Sequence, residues 1–193
     1  MEKAQKDLTS CLQAAAAGRL PSFSPALEAR FADPVGSYRP VIVAADLKRT
    51  GTRKDASTWI VGKSPQGQLA VCVLPSVNNS FDGREVWILD KSKPVKPVSA
   101  EGDWGTVFPA NDHHATALYG SVMIGRSAPG ITRVTVQFSG QEERDAQVID
   151  GVWLAHMEYA PPGNDVGENW PAPQPTLRGY HSDGALAYSS SGQ

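Results

Sequence analysis

Three places in the chain hold residue types at spacings that allow chemistry. In VWLAHMEY (152–159), His156 and Glu158 stand two apart, so on an extended chain both point to one side, where a carboxylate can orient an imidazole base. Such a pair needs a nucleophile or a bound substrate beside it. No GxSxG, no Walker A loop and no GxGxxG ahead of a helix supplies one, so His156 reads as a histidine on a strand face. In NDHHA (111–115), Asp112, His113 and His114 are competent metal ligands in a loop. Adjacent histidines on an extended chain point to opposite sides, and no HExxH, CxxC or spaced histidine cluster accompanies them. The stretch reads as a polar loop, with a metal-assisted site as the sharper alternative. No catalytic residue, metal site or cofactor is assigned.

The third place is the two cysteines. Cys11 lies in a helical segment and Cys72 in GQLAVCVLP, a buried-strand pattern. They read as a disulfide pinning a helix to a sheet, against the alternative of two separate buried thiols in a reducing compartment. An apolar setting raises a thiol pKa, so neither reads as a nucleophile. Among the tryptophans, Trp59, Trp87 and Trp153 fall in strand patterns and read as core. Trp104 and Trp170 fall in Gly/Pro-rich stretches and, with His113 and His114, are the candidates for ligand binding. Asn78, Asn79 and Ser80 form an N-x-S sequon.

The elements that must position these residues follow from periodicity. Leu8, Cys11, Leu12 and Ala15 fall on one helical face, and Gly18 is a stop, which predicts one amphipathic helix over 1–18. A Pro-rich connector over 19–39 precedes PVIVAADL (40–47), and strands follow on either side of turns at 48–56 and at Pro65, Gln66 and Gly67. Residues 76–116 are dense in turn formers, with REVWILD (84–90) the one strand expected there; long loops on a β scaffold are where binding surfaces gather. In ITRVTVQF (131–138), Val134, Val136 and Phe138 face one side, and Arg133, Thr135 and Gln137 the other. RDAQVI (144–149) and VWLAHMEY meet at Asp150 and Gly151, a strong hairpin signal, and Asp183 and Gly184 repeat it.

About ten strands with no helices between them predict an all-β fold: a single domain over 1–193, an antiparallel β-sandwich, Ig-like or barrel-like, over 40–193, and the helix packed outside it. Composition agrees: 193 residues with 40% hydrophobic, 15 Pro and 18 Gly suit short strands joined by turns. A formal charge of −2, with the basic run of Lys48, Arg49, Arg53 and Lys54 interrupted by Thr50 to Thr52, argues against a nucleic-acid partner. No run of 18 apolar residues and no signal-peptide pattern at the start predict a soluble chain that does not itself insert in a membrane, though it suits the soluble part of a longer anchored or secreted protein.

YGSVMIGRSAPGITRVTVQFSGQEERDAQVIDGVWLAHMEY (119–159), followed by LRGYHSDGALAYSS (177–190), resembles the C-terminal half of a group of actinobacterial extracytoplasmic β-sandwich domains. Their pattern is G-x-V-x-x-G-V-x-x-V-x-V, a polar hairpin, a D-G-x-F strand and a Y-D-x-x-G strand pair. Trp153 stands where Phe is common there, and His181 where Asp is common, which puts any role of that Asp in doubt. The resemblance covers roughly the last 75 residues and implies a sandwich outside the membrane, behind a single anchor in the parent protein; a helix-to-strand disulfide suits that setting. The expectation is a non-enzymatic extracytoplasmic module that binds, senses or supports. The alternatives are a hydrolase or lyase with a loop site around Asp112 to His114, a small-ligand carrier built as a closed barrel, and a cytoplasmic location.

Overall fold

The computed structural model describes residues 1–19, 31–48, 56–75, 85–89, 96–108, 118–159 and 174–190. Among them the chain is antiparallel β, with twelve strands in three four-stranded sheets and one N-terminal α-helix. This is the all-β, sandwich-like fold that the patterning predicts. The described elements gather into two compact units.

The first unit begins with α1 (Glu2–Ala16), whose buried residues are the predicted Leu8, Cys11, Leu12 and Ala15. Gly18, at φ 64°, ends it: the Gly18 amide donates to the Ala15 carbonyl and the Arg19 amide to that of Ala14, a Schellman closure that needs a left-handed residue. A 3₁₀ turn, Val35–Ser37, leads into a meander of β1 (Arg39–Lys48), β2 (Ala56–Lys63), β3 (Leu69–Pro75) and β4 (Glu85–Leu89), in that spatial order. Register places Ile60, Cys72 and Val86 side by side, and these pack with the helix stripe and Tyr38 into one core. Cys11 and Cys72 are joined in a disulfide. Gly62 leaves the space that Leu8 fills: a Cβ there would stand 2.7 Å from a Leu8 methyl carbon.

The second unit is a two-layer sandwich. One sheet runs β5 (Val98–Phe108), β6 (Leu118–Ser127), β10 (Val152–Tyr159), β9 (Gln147–Ile149); the other runs β12 (Leu186–Ser189), β11 (Thr176–Tyr180), β7 (Arg133–Gln137), β8 (Arg144–Asp145). The core between them takes Val134, Val136 and Phe138 from the β7 segment, as the alternation requires, and Trp153, Ala155 and Met157 from β10. The hairpin into β10 turns on Asp150 and Gly151 at φ 52° and 71°, the pair of positive angles that a two-residue turn needs.

Two expectations change. RDAQVI, read as one strand, is divided at Ala146: β8 pairs with β7 in one layer and β9 with β10 in the other, so this segment crosses the edge of the sandwich. Trp104, placed by the sequence in a loop, lies in β5, opposite Val122. An extra residue at Glu101 breaks the period of two in SAEGDW, and pairing along β6 carries Gly102 and Gly105 into the ladder despite their low strand propensity.

Candidate functional site

The alternation that sends Val134 and Val136 inward turns Arg133, Thr135 and Gln137 outward on β7, and Arg178 and Tyr180 come beside them on β11 in register. Across the other edge, β8 and the turn before it bring Glu143 and Asp145 to the same face. Seven polar side chains thus share one surface of the sheet.

Their contacts centre on Glu143. Its Oε1 accepts from the Thr135 hydroxyl, from the Tyr180 hydroxyl at 3.0 Å, and from Arg178 Nη1 at 3.1 Å. Arg178 also donates to Gln137 Oε1 at 2.9 Å. The Thr135 hydrogen bond, opposed by desolvation and supported by Tyr180 and Arg178, holds the Glu143 carboxyl below its ordinary value. Beside it, Arg133 Nε stands 2.6 Å from Asp145 Oδ1, with its guanidinium 4.9 Å from the centre of the Tyr180 ring. The hydrogen bond to Asp145 raises the Arg133 pKa further above its ordinary value. Two cations face two carboxylates. A glutamate ionised at neutral pH and engaged by three donors is a fixed charge, unsuited to taking up a proton as a general base.

A second ionic group lies in β5 and β6. Glu101 Oε1 is 3.8 Å from Arg126 Nε and accepts from Ser99 Oγ at 3.0 Å, and its side chain is only 4% exposed. In the first unit, Gln68 Oε1 accepts from the Ala32 amide at 2.7 Å and from the Tyr38 hydroxyl. Burial, with a smaller contribution from Asp33, raises the Tyr38 pKa.

Of the residues singled out by sequence, His156 and Glu158 are brought together, Nε2 to Oε1 at 3.7 Å, on a half-buried stretch of β10. Cys11 and Cys72 are bonded and buried. Trp59 and Trp153 are fully buried, and Trp59 stacks on Trp87 at 5.9 Å. His181, at the position that departs from the resembled pattern, sits in the Asp183–Gly184 turn with Nδ1 3.0 Å from the Gly130 carbonyl. Asp112, His113, His114, Trp170 and the sequon at Asn78 lie outside the described residues. Among the described residues no group of three metal-ligating side chains converges, and no helix is long and apolar enough to cross a membrane.

The Glu143 network was missed by sequence reasoning. Its signal was partial: the polar face of β7 was legible, and Arg178 and Tyr180 repeat the two-residue spacing in TLRGY (176–180), but neither the strand pairing that joins them nor the burial of Thr135 beneath the network was.

No described protein family, no curated protein and no solved structure matches this chain.

Proposed function

We propose that this chain is a non-enzymatic β-sandwich module working outside the cytoplasm, in binding, sensing or support. The observation that carries the reading is the Cys11–Cys72 disulfide, which joins α1 to β3 inside the core of the first unit. Structural disulfides persist in oxidising compartments and are rare where glutathione and thioredoxin keep thiols reduced. The polar side chains support the non-enzymatic part. Glu143 is engaged with Thr135, Tyr180 and Arg178, and Arg133 with Asp145, an arrangement that fastens strands to one another and leaves the carboxylates committed.

The test is the thiol state of the protein isolated from its own cells without reductant and alkylated on lysis. Intact mass should show a chain two hydrogens lighter than the reduced form and carrying no alkyl group. Two alkylated cysteines in every molecule would overturn the extracytoplasmic assignment.

A further inference from the structure

We infer that the Cys11–Cys72 bond is a redox latch on α1: reduction by a dithiol frees the helix from the sheet while β1–β4 stay folded. Besides the disulfide, α1 is held by apolar packing and by hydrogen bonding. Its buried stripe is Leu8, Cys11, Leu12 and Ala15, a hydrogen bond to the segment before β1 runs from Gln5 Nε2 to the Tyr38 carbonyl at 3.0 Å, and its N-cap has no side-chain bond. A free helix of this length is marginal in water, so its order depends on docking.

The segment that leads to the sheet is fastened separately. The Ala32 amide and the Tyr38 hydroxyl both donate to Gln68 Oε1, and the Gln66 amide donates to Asp33 Oδ2 at 3.1 Å. These bonds tie residues 32–38 to the β2–β3 turn without involving α1, so release of the helix stops short of β1. The strands keep their own ladders, paired β1 to β2 to β3 to β4.

Both sulfurs are fully buried. An attacking thiolate reaches them only when α1 lifts, so opening precedes chemistry. The dithiol then takes the protein disulfide through a mixed disulfide, gives Cys11 and Cys72 as thiols with two protons and two electrons, and leaves as its own cyclic disulfide. With the tether gone the lifted state persists. The inference concerns the response to reductant and holds in whichever compartment the protein works.

Amide hydrogen exchange of the full chain, oxidised and in dithiothreitol, reads the latch directly. Reduction should speed exchange in α1 about tenfold or more and leave the amides of β2 and β3 unchanged. Leu12→Ala should speed the reduction itself at a fixed dithiothreitol concentration, and Leu12→Met should restore the slower rate. Unchanged exchange in α1 after reduction, loss of protection across β2 and β3 as well, or a Leu12→Ala chain reduced no faster than the parent would each overturn the latch; should Leu12→Ala not fold, the exchange experiment on the parent decides alone.

Discussion

Glu143→Gln isolates the charge at the centre of the outward face of β7 and β11. Glutamine keeps the shape and one acceptor oxygen, so what is lost is the ionic part of three contacts. The Arg178 nitrogen lies 3.1 Å from Oε1, and the two side chains are 27% and 33% exposed. At a water-like dielectric that separation is worth about 1.3 kcal/mol, and salt reduces it further. The Thr135 and Tyr180 hydroxyls each lose charge assistance and keep a neutral acceptor, a smaller loss. Discounted for solvent screening, the substitution should cost about 1–2 kcal/mol at neutral pH.

The pH dependence gives the sharper readout. The folded carboxyl is held below its ordinary value, so the unfolded chain binds the proton more tightly than the folded one. The stabilisation is therefore complete above the unfolded glutamate value, about 4.3, and is lost as pH falls through the depressed folded value. Other carboxylates titrate in the same range, so the difference between parent and variant is the quantity to follow. Urea unfolding, read from NMR amide signals of β7 and β11 at several pH values, should give curves that are separated at neutral pH and converge in acid. A separation that stays constant into acid, or none at neutral pH, would refute the assignment of the network to an ionised Glu143.

Two further substitutions probe the same sandwich. Gly125→Ala puts a Cβ against the Ser99 carbonyl and 2.5 Å from the Trp153 indole, which is held by its own bond to the Arg126 carbonyl. Neither neighbour is a flexible side-chain end, so urea stability should fall by roughly 1–3 kcal/mol or more, and an unchanged midpoint would contradict the packing of Trp153 over this glycine. Arg133→Ala removes an ion pair whose side chains are 54% and 65% exposed; its midpoint should move less than that of Glu143→Gln, and high salt should erase the difference from the parent.

The elements that the sequence disclosed were those with an unbroken period. The helix stripe of Leu8, Cys11, Leu12 and Ala15, the alternation through Val134 and Phe138, and the Asp150–Gly151 turn each state their geometry within a few residues. The cysteine pair was legible for a related reason: one helix face and one strand face each presented a thiol among apolar residues. What stayed hidden depends on pairing across the chain. The strand β5 carries two glycines and an extra residue at Glu101, so neither propensity nor period marks it, and only its register against β6 does. The same holds for Glu143, which lies between the Gly140 turn and β8 yet meets β11 residues more than thirty positions on. Local rules describe a strand; they do not say which strand lies beside it.

Among the described residues the three sheets have six edge strands, and an edge with free backbone groups invites pairing with another chain. Five of the six carry a visible device against it. The ladder of β1 shifts register twice and includes Pro40; β5 holds the extra Glu101; β12 slips past Ala187, which is left between the partners of Gly179 and Tyr180. The remaining two are very short, β8 being the charged pair Arg144 and Asp145 and β9 three residues. The shift at Glu101 does more than interrupt an edge. A bulged residue is re-aimed relative to its neighbours, and here the carboxylate is brought to Ser99 and Arg126 and almost wholly removed from water. A buried carboxylate is tolerated only with such partners, so the irregularity that breaks the period of β5 also accounts for how its charge is accommodated.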